Sequence, residues 1–170
     1  MARIDYADKS NPAIAPLIAQ ITRERGQVIN LYSMLLNSEP VARGWLGFLT
    51  AIRQQCSLSA DVREAVILRI AVINKANYEF NQHVPHALKA GLNQSQIDSI
   101  AKGTLSVGLP KIDAALAYAS ESTANVRVTA ECFAKVRSIF NNTEIVELTA
   151  TIGAYNMVSR FLEALEIDHE

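Results

Sequence analysis

Sulfur, chain-breaking residues and charge of one sign are all scarce in this chain. Its 170 residues hold two cysteines, Cys56 and Cys132, which are far apart and belong to no CxxC motif. That spacing offers no disulfide framework, no zinc-ribbon pattern and no dithiol, so both cysteines read as reduced and structural. Glycine numbers seven and proline five, and no hairpin dipeptide divides alternating apolar runs. The turn-rich all-β classes are thereby set aside. Sixteen Lys and Arg stand against seventeen Asp and Glu, for a net charge of -1 and a pI of about 6.3. The absence of a basic stripe argues against nucleic acid as a partner. The longest nearly apolar run, Ala65 to Ile73, is broken by Arg69. It falls well short of the ~20 residues a membrane span needs. The opening MARIDYADKS has no apolar signal-peptide core, so the expected location is cytoplasmic, away from any membrane.

What the chain does hold is apolar residues at helical spacing. The hydrophobic fraction is 49% and the mean hydropathy +0.10, a surplus that points to subunit association. The expected architecture is an all-α bundle of about eight helices in a single domain spanning residues 1–170. Asn11-Pro12 starts a helix that carries Ile14, Leu17, Ile18 and Ile21 to about Gly26. A short segment over Val28 to Leu36 follows. Ser38-Glu39-Pro40 opens the next helix, with Trp45, Phe48, Leu49 and Ile52 on its buried side. Ser59 is the expected cap of Ala60 to about Asn74, a helix apolar around nearly its whole circumference and so buried on all sides. After a weak break at Asn74 to Asn77, Tyr78 to Ala90 is helical with Gly91 beyond it and an expected kink at Pro85. Asn93 to Ile100, Pro110 to Glu121 and Ala130 to Phe140 are helical, and Thr104 to Pro110 is a loop. Asn141 and Glu144 form a capping box for a last helix reaching Leu165.

Chemistry concentrates in Lys75 to Gly91, KANYEFNQHVPHALKAG. Glu79 and His83 are four apart and share a helical face, and His86 is three further on. Glu64 sits upstream on the most apolar helix, where a carboxylate needs a proton, a partner or a metal, since a bare buried charge costs several kcal/mol, roughly. Three readings follow from the residues alone. Glu64 and His83 form a satisfied buried pair, or they carry acid/base chemistry, or Glu79, His83 and His86 hold a metal. The metal reading is the weakest, because neither HExxH nor a paired ExxH repeat occurs.

The stretch REAVILRIAVINKANYEFNQHVPHALKAG resembles the carboxymuconolactone decarboxylase/AhpD-like family. The redox members of that family carry a Glu, eleven residues, then CxxCxxxH. Here Glu64 is followed by eleven residues and then Ala76-Asn77-Tyr78-Glu79-Phe80-Asn81-Gln82-His83. Ala76 and Glu79 stand at the two cysteine positions, while Glu64 and His83 match. The Tyr78-to-His83 form and the segment Tyr155 to Phe161 are similar to the cysteine-free, decarboxylase-like branch.

The resemblance implies an AhpD-like bundle assembled as a trimer or hexamer. It also implies a cofactor-free lyase acting on a small carboxylated or lactone substrate, with His83, Glu64 and Glu79 as the catalytic groups. No metal or cofactor is expected. A carboxylated substrate calls for a fixed cation. Arg69 lies about 140° from Glu64 around an ideal helix, which leaves Arg160 as a candidate contact beside Tyr78 and His86. The competing functions are a peroxiredoxin-type alkylhydroperoxidase, disfavoured without a CxxC, and a non-catalytic small-molecule binding protein.

Overall fold

The computed structural model describes all 170 residues, Met1–Glu170, as nine α-helices without a strand. The chain is all-α as its sequence predicts, with one helix more than the eight expected. No helix is long and apolar enough to cross a membrane. The residues group into two compact units, one formed by Met1–Cys56 with Phe161–Glu170, the other by Ser57–Arg160.

In the first unit, α1 (Ala15–Arg25), α2 (Asn30–Leu35) and α3 (Glu39–Thr50) pack together, and α3 runs on as a π-helical turn, Ala51–Gln55. Leu17 and Ile21 share one face of α1, and together with Leu46 of α3 they are almost wholly enclosed. The hydroxyl of Thr50 donates to Glu24 Oε2 at 2.7 Å and accepts from Arg25 Nη2 at 2.7 Å. Helix α1 starts at Ala15 rather than at Pro12, because the Asn11 side chain takes the Ala13 N–H at 3.0 Å in a local turn. Phe48, expected on the buried side of α3, is 44% exposed. Trp45, Leu49 and Ile52 form the inward stripe instead.

The second unit is built around α4, Ala60–Asn74, whose ends fall where the sequence puts them. It packs against α5 (Asn77–Lys89), α6 (Gln94–Ala101) and α7 (Pro110–Asn125). Ala65, Val66, Ile67, Leu68, Ile70 and Ala71 are all sealed from solvent, as an all-round apolar helix requires. Glu147 fixes the entry to α4: its carboxylate accepts from Ser57 N at 3.0 Å, Ser57 Oγ at 2.9 Å and Leu58 N at 2.7 Å. Glu147 lies on α9, Asn142–Leu165, which follows α8, Ala130–Ile139. The capping box before α9 is present, with Asn141 and Glu144 exchanging hydrogen bonds of 3.0 Å in both directions.

The joint between α4 and α5 places the chemistry. Lys75 adopts the left-handed conformation, φ +56°, and ends α4. Its N–H and that of Ala76 turn back to the carbonyls of Val72 and Ala71. The weak break expected here is thus a tight turn, with Ala76 fully buried inside it, and so short a link brings α4 and α5 side by side. Helix α5 continues through Pro85 to Lys89, and Gly91 takes φ +107° just beyond it.

Candidate active site

Three charged side chains that the sequence singles out meet inside the second unit. Glu64 comes from the second turn of α4, while Glu79 and His83 are one turn apart on α5. Each is only 4% exposed. His83 Nδ1 lies 2.6 Å from Glu64 Oε2, and His83 Nε2 lies 3.1 Å from Glu79 Oε1. The imidazole therefore bridges two carboxylates, one through each ring nitrogen.

That placement decides the charge state of the ring. Burial alone would lower the His83 pKa. The hydrogen bonds to Glu64 and Glu79, with the attraction of both carboxylates, outweigh it and raise the value to about 8. At neutral pH His83 is mostly an imidazolium that donates in both directions. Both ring nitrogens are engaged by carboxylates, and no group of three or more His, Cys, Asp or Glu side chains is placed to hold a metal ion.

Two neighbours complete the wall. The Tyr155 ring of α9 stands edge-on to His83, with centroids 5.1 Å apart and planes at 89°. The His86 ring lies 5.5 Å from His83 and is exposed. His86 thus joins the face shared by Glu79 and His83, and Pro85 does not turn it away. Tyr78 is buried beside Glu79 in the first turn of α5. Arg160 is exposed on α9 and bonds within its own helix to Asn156, at 3.1 Å to the carbonyl and 2.8 Å to Oδ1. Its contacts run to Asn156 and not to the Glu64–His83–Glu79 cluster. Arg69 turns to Ser120 Oγ at 2.8 Å.

Sequence reading missed two members of this cluster. Arg63 Nε lies 3.4 Å from Glu64 Oε1, with the side chain 13% exposed. Successive helical residues diverge by about 100°, so adjacency gave no reason to pair them; only the length of the arginine side chain closes the gap. Tyr155 lies 72 positions beyond His83 by residue number, and only its place in the recognisable final helix hinted at a role.

The unit is all-helical, with a Glu–His–Glu cluster on two adjoining helices. The sequence model of the Carboxymuconolactone decarboxylase family matches residues 39–121. Over that segment the chain is carboxymuconolactone decarboxylase-like in sequence, and its fold is AhpD-like. The matched stretch carries Arg63, Glu64, Glu79, His83 and His86.

Solved structures share the fold at low identity. An uncharacterized peroxidase-related protein with an alkylhydroperoxidase AhpD core, from Ralstonia eutropha JMP134, is 16% identical over 99% of this chain and 92% of its own, with a TM-score of 0.84. An uncharacterized peroxidase-related protein from Silicibacter sp. TM1040 is 16% identical over 99% and 92% of the two chains, with a TM-score of 0.82. The debrominase Bmp8, solved in complex with 2,3,4-tribromopyrrole, is 15% identical over 100% of this chain and 94% of its own, with a TM-score of 0.80. No curated protein matches the chain in sequence.

Proposed function

We propose that this protein is a cofactor-free acid/base enzyme of the carboxymuconolactone decarboxylase type, acting on a small unsaturated acid or lactone. The observation that carries the reading is a buried imidazolium whose far side meets Glu79, the residue at the second cysteine position of the resembled redox members. A thiol there would exchange electrons, whereas a carboxylate exchanges protons. His83 cannot donate to a substrate without leaving one of its partners, so Glu79 is the group that faces the reacting carbon.

The reaction balances with protons alone. The bond between carbon and the departing carboxylate breaks, and CO₂ leaves. The electron pair enters the conjugated lactone as an enolate. A proton then passes from His83 Nε2 through the Glu79 carboxyl to that carbon, and solvent resupplies the imidazole. Glu64 holds the ring by Nδ1 and keeps it charged, and the exposed His86 ring lies on the way to water. Positioned proton transfer of this kind contributes ~10²–10⁴-fold. Homo-oligomerisation belongs to the same reading. Phe48, Val126 and Val146 leave large apolar surface exposed, at 44%, 85% and 67%, which a trimer or hexamer would cover.

The test is carboxymuconolactone turnover in D₂O, followed by CO₂ release and deuterium incorporation at carbon. Glu79→Gln lowers kcat by ~10²–10⁴-fold while substrate binding persists. Full turnover in that variant rejects Glu79 as the proton-transferring group.

A redox reading has less support. The motif positions that would hold sulfur are Ala76 and Glu79. Burial pushes the Cys132 pKa up, away from the reactive thiolate.

A further inference from the structure

We propose that His86 is the proton port of the buried cluster, passing protons between solvent and the His83 ring. The inference rests on the acid/base reading above and adds to it the residue that reloads the ring after each proton is spent.

A buried acid that has given up its proton must be recharged before it acts again. Four groups stand against the His83 ring: Glu64 at Nδ1, Glu79 at Nε2, the Tyr155 ring, and the His86 ring at 5.5 Å between centres. Glu64, Glu79 and Tyr155 are sealed from water, at 4%, 4% and 1% exposure, whereas His86 is exposed. Arg63, beside Glu64, reaches partway to solvent, but a guanidinium does not release its proton. Of these groups, His86 is the one that both titrates and meets bulk water.

Helical geometry puts it there. Glu79, His83 and His86 lie at i, i+4 and i+7 of α5, along one stripe, and the helix runs unbroken through Pro85. The stripe leads from a buried carboxylate through a buried imidazole to an exposed one. Imidazole suits the outer place, because histidine's ordinary titration range straddles neutrality, and one ring nitrogen accepts while the other donates.

The step balances in protons. When His83 has given its Nε2 proton to Glu79, the Nδ1–H stays with Glu64 and the lone pair of the ring is at Nε2. A proton on a His86 ring nitrogen crosses to that lone pair through one water, and His86 takes its replacement from solvent. Ring centres 5.5 Å apart are close enough for a single water to connect the nitrogens. No electron moves, and water is the one co-reactant.

The experiment measures exchange of the His83 ring N–H protons with water by NMR saturation transfer, in the absence of substrate. Wild type, His86→Ala and His86→Gln are compared, with far-UV circular dichroism and the His83 ring chemical shifts as checks that the cluster is intact. Both variants are expected to exchange ~10²-fold more slowly than wild type. Free imidazole restores exchange in His86→Ala in proportion to its concentration, because it fits the vacated space, and does little in His86→Gln. Exchange as fast in His86→Ala as in wild type overturns the proposal. So does a slow His86→Ala that imidazole fails to accelerate, since a diffusible base does not repair a merely structural loss. With no substrate present, His86-dependent exchange in a protein that performs no decarboxylation would retain the port and remove the reaction. Decarboxylation with exchange indifferent to His86 would do the reverse.

Discussion

Protonation of His83 is a contribution to stability, and pH is the perturbation that removes it. The folded-state pKa is about 8, against an ordinary value of 6.5. A folded value above the unfolded one means that the native state binds the proton more tightly. The extra stability is fully present below about pH 6.5 and is lost as pH rises through about 8. At 1.36 kcal/mol per pH unit, the difference is worth about 2 kcal/mol. Urea unfolding at about pH 6 and about pH 9, at fixed protein concentration, reads it directly. Wild type loses about 2 kcal/mol more between those conditions than His83→Gln does. The variant is less stable at both, because two buried carboxylates lose their partner, at a cost of ~3–5 kcal/mol. An NMR titration of the His83 ring gives a midpoint near 8, and Glu79→Gln moves it down by removing one of the two carboxylates that hold the proton. A wild-type midpoint at or below 6.5, or equal pH dependence in wild type and His83→Gln, would refute the bridged-imidazolium geometry.

Two other substitutions test separate parts of the structure. The Cys56→Ser/Cys132→Ser double variant keeps full carboxymuconolactone turnover, and loss of activity there would return thiol chemistry to consideration. Glu147→Gln removes a carboxylate that accepts three hydrogen bonds from Ser57 and Leu58. It lowers unfolding free energy by about 1–3 kcal/mol, and an unchanged urea midpoint would show that the entry to α4 is held by something else.

Legibility followed the scale of the physics involved. Helix α4 was readable because an all-round apolar pattern is a local signal, although Ser59, expected to cap it, makes no side-chain capping bond. The box at Asn141 and Glu144 was equally plain. Phe48 was not, because helical periodicity alone cannot tell whether a residue at the margin of an apolar stripe lies inside or outside. In the site, the spacing of Glu79 and His83 and the odd carboxylate at Glu64 named the three groups that meet. Which ring nitrogen serves which carboxylate depends on how α4 turns into α5, and that hinges on Lys75 entering the left-handed region, which non-glycine residues seldom adopt. The closeness of Arg63 and Tyr155 is set by side-chain reach and by packing across distant segments, neither of which leaves a local pattern.

The bridged geometry also fixes what the site can be good for. An imidazolium between two carboxylates hands its proton on without separating charge, because the acceptor carboxyl is neutralised as the ring is. Such a relay needs a terminus that exchanges protons with its target. In the proposed reaction Glu79 is that terminus. With Glu64 and Glu79 ionised and His83 protonated the cluster would be net negative, and Arg63, 3.4 Å from Glu64 Oε1, brings its formal charge to neutrality.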